Sequence, residues 1–205
     1  MKHNQFYVLA FKFFFAFLGL SSIVLEIVVL NQRGVFDAAN FFSYFTVLSN
    51  VFAALMLLVG AWAMYGKVKS TKVTYLRGAA TTFIIITGVV FSVLLSNYDP
   101  SLLTAVPWDN YVLHYIMPIV LVIDWLIDPP RTHLEIRSAL TYITFPFVYL
   151  VYSLIRGSIT GWYPYPFLNP DTGGYGALVI SCVAVTCFVL IATFVTVRIQ
   201  RVAKR

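Results

Sequence analysis

The chain has 205 residues, of which 60% are hydrophobic and only 11% charged, with a formal net charge of +6. So few charges cannot cover a water-facing surface, which excludes a soluble domain and makes lipid the solvent for most side chains. The basic residues lie in short segments between apolar runs instead of gathering on one polar face, which excludes nucleic-acid binding.

Six apolar runs, at 13–30, 41–65, 78–97, 111–127, 139–155 and 175–197, predict six transmembrane helices. Each approaches the roughly 20 residues that a ~30 Å hydrocarbon core requires. Runs such as TTFIIITGVVFSVLL lack the in-out alternation of a transmembrane strand. The connections NQRG, NYDP, DPPR and NPDTGG carry helix breakers and polar residues. The fold class is therefore an all-α bundle of six spans forming one domain, 1–205. The first run reaches Leu30 without an A-x-A-like cleavage site, so a retained span is expected. Cys182 and Cys187 stand five apart on one predicted helix and cannot pair with each other.

Of the 14 Lys and Arg residues, all but Arg33 and Arg156 fall on one side of the predicted spans. The positive-inside rule then places both termini in the cytoplasm and turns the loops around Asp37, Asp99, Asp109 and Asp171 outward.

Polar residues within spans are costly and mark interior or functional faces. At a rise of about 1.5 Å per residue, Glu26, Thr46 and His114 lie roughly 5–8 Å below the outer surface, with Arg156 at the mouth of the fifth span. Asp124 is the exception, near the inner end of the fourth. Asn40, Ser43, Thr46 and Asn50 form one stripe on the second span, and Tyr142, Tyr149, Tyr152 and Arg156 another on the fifth. Such stripes can serve as interhelical glue, with Glu26 paired to Arg156 and His114 held by a tyrosine, or they can line a ligand site. An arginine at a helix end can also snorkel to the headgroups.

The segments FFSYFTVLSN, LHYIMPIVLVIDW and TGWYPYPFL together resemble the androgen-induced six-transmembrane protein family, most closely its bacterial Pr-six-Pr branch. The most specific piece is Thr160-Gly161 followed by Tyr165-Pro166-Phe167-Leu168, which is similar to the TG…YPFL of the eukaryotic members. The resemblance implies an intramembrane threonine hydrolase of fatty acid esters of hydroxy fatty acids, and a bacterial plasma-membrane location. The family threonine, after a phenylalanine early in the second span, corresponds to Thr46. The family histidine, before a proline in the fourth, corresponds to His114 before Pro118, one residue closer than in the family pattern.

The residues themselves are compatible with that chemistry. An internal threonine needs a base, and His114 is the one histidine within a predicted span. Asn50 and a tyrosine of the fifth span, Tyr149 or Tyr152, are candidate donors to an oxyanion. Arg156 could hold a lipid carboxylate, with Ser43 and Glu26 completing the candidate substrate-binding set. The aromatic fifth loop, with Trp162, Tyr163, Tyr165 and Phe167 between prolines, is expected to fold back as a lid. The alternative is a lipid- or small-molecule-binding protein or transporter that does not react with its ligand, and a purely structural membrane protein is a third. No metal or cofactor is expected, since one intramembrane histidine cannot complete a zinc or haem site and no GxxxxGK[ST] is present. The expected partner is a lipid in the membrane.

Overall fold

The structure is a computed structural model and describes residues 3–98 and 104–203. Among these, six helices are long and apolar enough to cross a membrane: α1 (Asn4–Gln32), α2 (Phe45–Tyr65), α3 (Thr71–Leu95), α4 (Pro107–Ile127), α5 (Ile136–Thr160) and α6 (Pro170–Gln200). The chain is thus an all-α, multi-pass membrane bundle, and an even number of spans brings both of its ends to one side. Asp99 and the basic residues Lys2, Lys204 and Arg205 lie outside the described residues.

The helices run beyond the apolar runs, because charges that mark the edge of a hydropathy window need not mark the end of a helix. Lys12 and Arg77 were expected in flanking inner segments, but both sit inside helices and are buried. Lys12 Nζ pairs with Asp124 and lies 2.9 Å from Asp128 Oδ2. Arg77 donates to Asp124 Oδ2 at 2.8 Å and lies 3.2 Å from Asp128 Oδ2. Two cations from α1 and α3 and two carboxylates at the end of α4 therefore form a neutral cluster at the end of the bundle expected to face inward, which accounts for the isolated depth of Asp124. Gly60 of α2 makes room for it, since a Cβ there would lie 3.1 Å from Lys12 Nζ and 3.2 Å from Arg77 Nε.

The second span begins at Phe45 instead of 41. Residues Ala38–Phe41 form a separate turn whose start is capped by Asp37, which accepts from the Asn40 N–H at 3.0 Å. α2, α3 and α4 pack at the centre, where Leu57, Ile84 and Met117 are fully buried. α5 and α6 lie to the side and present Ile159 and Ile180 outward, the expected lipid-facing surface of a bundle whose solvent is hydrocarbon.

Two irregular turns shape the opposite half of the bundle. α3 ends in a π-helical turn over Phe91–Leu95, and α4 contains another over Val112–Ile116. Pro118 explains the second: it has no N–H to offer the His114 carbonyl four residues back, so the ladder widens at the histidine. The same proline ring presses on Gly88 of α3, where a Cβ would come within 2.8 Å of its Cγ and 3.2 Å of the His114 carbonyl oxygen. A glycine at 88 therefore sets the closeness of α3 to α4.

Candidate functional site

Thr46 lies in the first turn of α2, where helix geometry leaves backbone N–H groups without intrahelical partners. Its carbonyl is held by Asn50 Nδ2 at 2.9 Å and by Ser49 Oγ at 3.2 Å. Ser49 in turn bonds Thr87 of α3 at 2.7 Å, so the turn bearing Thr46 is anchored to the bundle centre.

His114 projects from the widened turn of α4, with Nε2 at 3.1 Å from Thr46 Oγ1 and Nδ1 at 3.1 Å from the Asn110 carbonyl. A carbonyl can only accept, so Nδ1 carries the ring proton and Nε2 is left as an acceptor for the Thr46 hydroxyl. Phe91, from the widened turn of α3, stacks on the imidazole at 3.9 Å and 20°. The two π-helical turns thus face each other and fix the ring between an aromatic plane and a hydroxyl. Both Thr46 and His114 are buried.

The loop after α5 closes over this pair. Gly161 ends the helix with φ +71°, a left-handed conformation that glycine adopts without penalty, and its N–H bonds the Gly157 carbonyl at 2.9 Å. The chain then turns back, and Tyr163 packs so tightly on Gly157 that a Cβ there would come within 2.0 Å of its ring. Tyr44 meets Trp162 and Tyr165 edge-on, at 5.5 and 5.9 Å. The Tyr165 hydroxyl accepts from the Thr46 N–H at 3.2 Å and stands 3.4 Å from Thr46 Oγ1. Burial holds the Tyr165 phenol above its ordinary pKa, so it remains protonated and able to donate. The segment expected as a lid lies against the site and contributes a polar group to it.

The other singled-out residues separate into two sets. Glu26 does not pair with Arg156; its carboxylate accepts from the Ala105 and Val106 N–H groups at 2.5 and 3.1 Å, fastening the entry to α4 against α1. Arg156 donates to Asn40 Oδ1 at 2.7 Å and lies over the Trp162 ring at 4.5 Å, so it holds the loop instead of facing a cavity. His114 is held by Thr46 and a backbone carbonyl, not by a tyrosine. Asn50 gives its amide hydrogens to the Thr46 and Leu113 carbonyls, the latter at 3.1 Å, which leaves none for an oxyanion. Tyr149 donates to the Ser43 carbonyl at 2.9 Å and Tyr152 bonds Ser43 Oγ at 2.7 Å, so the stripe on α5 clamps the start of α2. The glue description fits these residues, while Thr46 and His114 stand apart from it.

A cavity of about 650 Å³, the outer cavity on the expected orientation, opens above the pair, lined among others by Glu26, Arg33, Thr46, His114, Tyr163 and Tyr165. A narrower space of about 80 Å³ reaches Thr46 from the side, between the Phe91–Leu95 turn, α5 and α6. Sequence reasoning missed Phe91, Asn110 and the polar role of Tyr165. Phe91 carries no signal of its own, and Asn110 acts through its backbone. Tyr165 stood in a recognisable motif that indicated only an aromatic cover. Among the described residues, no group of three or more His, Cys, Asp or Glu side chains could hold a metal ion. No family model, curated protein or solved structure matches the chain.

Proposed function

We propose that this membrane protein is an intramembrane hydrolase of fatty acyl esters, with Thr46 as nucleophile and His114 as base. The observation that carries the reading is the 3.1 Å approach of Thr46 Oγ1 to His114 Nε2, with Nδ1 oriented by the Asn110 carbonyl. A nucleophile, a base and a group that fixes the base's tautomer are the three parts an acyl-transfer site requires.

In this reading, Thr46 Oγ1 attacks the ester carbonyl carbon while its proton passes to His114 Nε2. The oxyanion that forms is met by the Tyr165 phenol, whose proton is not used in accepting the Thr46 N–H, and by the positive end of α2. The intermediate collapses, His114 protonates the departing alkoxide, and the acyl group remains on Thr46. Water, deprotonated by His114, then releases the fatty acid and restores the threonine. Phe91 covers one face of the imidazole, and the cavity that His114 lines gives the deacylating water its approach.

The resemblance to the androgen-induced six-transmembrane family supports the same assignment and names esters of hydroxy fatty acids as the substrate class, in a bacterial plasma membrane with the cavity toward the outer leaflet. Arg33 takes over the role first considered for Arg156, because it lines the outer cavity and could meet a lipid carboxylate there.

Purified protein treated with a fluorophosphonate tests the proposal. Covalent labelling mapped to Thr46, lost in Thr46→Ala and His114→Ala together with lipid-ester hydrolysis, is the expected result. An unreactive protein, or full hydrolysis by Thr46→Ala, would leave a lipid-binding protein or transporter as the better description.

A further inference from the structure

The two spaces that meet at Thr46 differ in chemistry, and the difference assigns the two halves of an ester. Thr46, Tyr165, Phe91 and Leu95 line both. His114 lines only the outer cavity, where Glu26 and Arg33 also lie. The side space is bounded by hydrocarbon, including Val90, Pro146, Phe147 and Val185.

The hydroxyls in its wall are turned to other partners. Thr186 donates to the Cys182 carbonyl at 2.7 Å, Thr87 to the Phe83 carbonyl at 3.2 Å, and Tyr149 to the Ser43 carbonyl at 2.9 Å. Polar atoms bonded to their own helices add little cost for an apolar guest. Along the far side of the slot, residues 144–160 of α5 touch α6 sparsely, and Phe147, which lines the space, is 59% exposed on the lipid-facing surface of the bundle. A slot that is narrow, apolar and open toward the bilayer core meets one abundant class of molecule there, the unbranched acyl chain.

We propose that the slot between the Phe91–Leu95 turn, α5 and α6 binds the acyl chain of the ester's acid half, entered sideways from the bilayer core. The assignment rests on the hydrolase reading for its polarity. His114 must hand its proton to the leaving alcohol, so the alcohol half stands on the histidine's side, in the outer cavity. The acid half stays bonded to Thr46 through the intermediate and lies on the other side, in the slot. Cys182 marks the slot wall with a thiol, and its chain neighbours Val183 and Ala184 are exposed to lipid.

A fatty acid carrying a terminal diazirine, photolysed with the Thr46→Ala protein in nanodiscs, reads occupancy without catalysis. Adducts concentrated on Pro146, Phe147, Cys182 and Val185 are expected, and N-ethylmaleimide at Cys182 should suppress them. Adducts spread evenly over the outer faces of the six helices would overturn the slot, whatever the chemistry at Thr46. For hydrolysis, Val185→Trp should lower the ratio of kcat/KM for hexadecanoyl over butanoyl 4-nitrophenyl ester by about tenfold or more, since each methylene excluded from an apolar pocket matters. An unchanged ratio in a hydrolysing protein would also count against the slot. Adducts at the slot without any fluorophosphonate label on Thr46 would retain the chain site and discard the hydrolase.

Discussion

Substituting Gly88 by alanine tests whether the site is held by helix packing instead of by the contact of Thr46 with His114 alone. A Cβ at that position would lie 2.8 Å from Pro118 Cγ and 2.9 Å from Pro118 Cβ. Carbon atoms rest at about 3.5–4.0 Å, so α3 and α4 must part by roughly 0.7 Å or more at this level. His114 rides on the turn that Pro118 widens, and its distance of 3.1 Å from Thr46 would open by a comparable amount, to about 3.8 Å and so beyond hydrogen-bond reach. Overpacking of this kind costs about 1–3 kcal/mol. A displacement approaching an ångström at the reacting atoms lowers the rate by about a hundredfold. The assay is the rate of fluorophosphonate labelling and of ester hydrolysis in nanodiscs, beside a thermal melt of the same preparation. Gly176→Ala serves as the control, because a Cβ there meets nothing within 4 Å. Wild-type rates and an unchanged Tm in Gly88→Ala would refute the claim that the Gly88–Pro118 contact positions the histidine.

Three further outcomes follow from the same geometry. Lys12→Met leaves buried carboxylates short of one cation and should destabilise the bundle by about 3–5 kcal/mol, with much of the loss recovered in Lys12→Met/Asp128→Asn; thermal denaturation in detergent measures both, and a single variant as stable as the parent would contradict the cluster. Tyr165→Phe removes a donor and should slow acylation by roughly 10²–10³-fold while the loop stays packed, and an unaltered single-turnover rate would exclude the phenol from the oxyanion site. Cysteines introduced at Ser70 and Asp171 report topology: an impermeant maleimide should label only Asp171→Cys in intact cells, and the reverse pattern would invert the bundle.

The number and type of the helices were legible because the signal behind them is an average. A span needs about 20 mostly apolar residues, and no single substitution erases that. The ends were less legible because each depends on one or two partners. Lys12 and Arg77 truncate the apolar runs in sequence, yet their charges are neutralised by Asp124 and Asp128 from another helix. A local window has no access to that pairing. At the other end, the second span starts at Phe45 instead of 41 because Asp37 caps a separate turn over Ala38–Phe41.

The site divides along the same line. The common depth of Glu26, Thr46 and His114 follows from helix rise, and all three line the outer cavity. What depth could not resolve is which way each polar group points. Arg156 stands at the expected height but is drawn to Asn40 Oδ1 and the Trp162 ring, because a guanidinium at a crowded helix end gains more from a fixed acceptor and an aromatic face than from an open cavity. Asn50 faces the right stripe but satisfies the carbonyls around it, and its two hydrogen bonds tie the turn bearing Thr46 to the Leu113 carbonyl of α4. The phenol beside Thr46 comes instead from Tyr165, some 119 residues away in sequence, on a loop. Its position depends on Gly157 lacking a side chain and Gly161 adopting positive φ, so the arrangement around Thr46 is a consequence of backbone fit at two glycines as much as of the polar residues themselves.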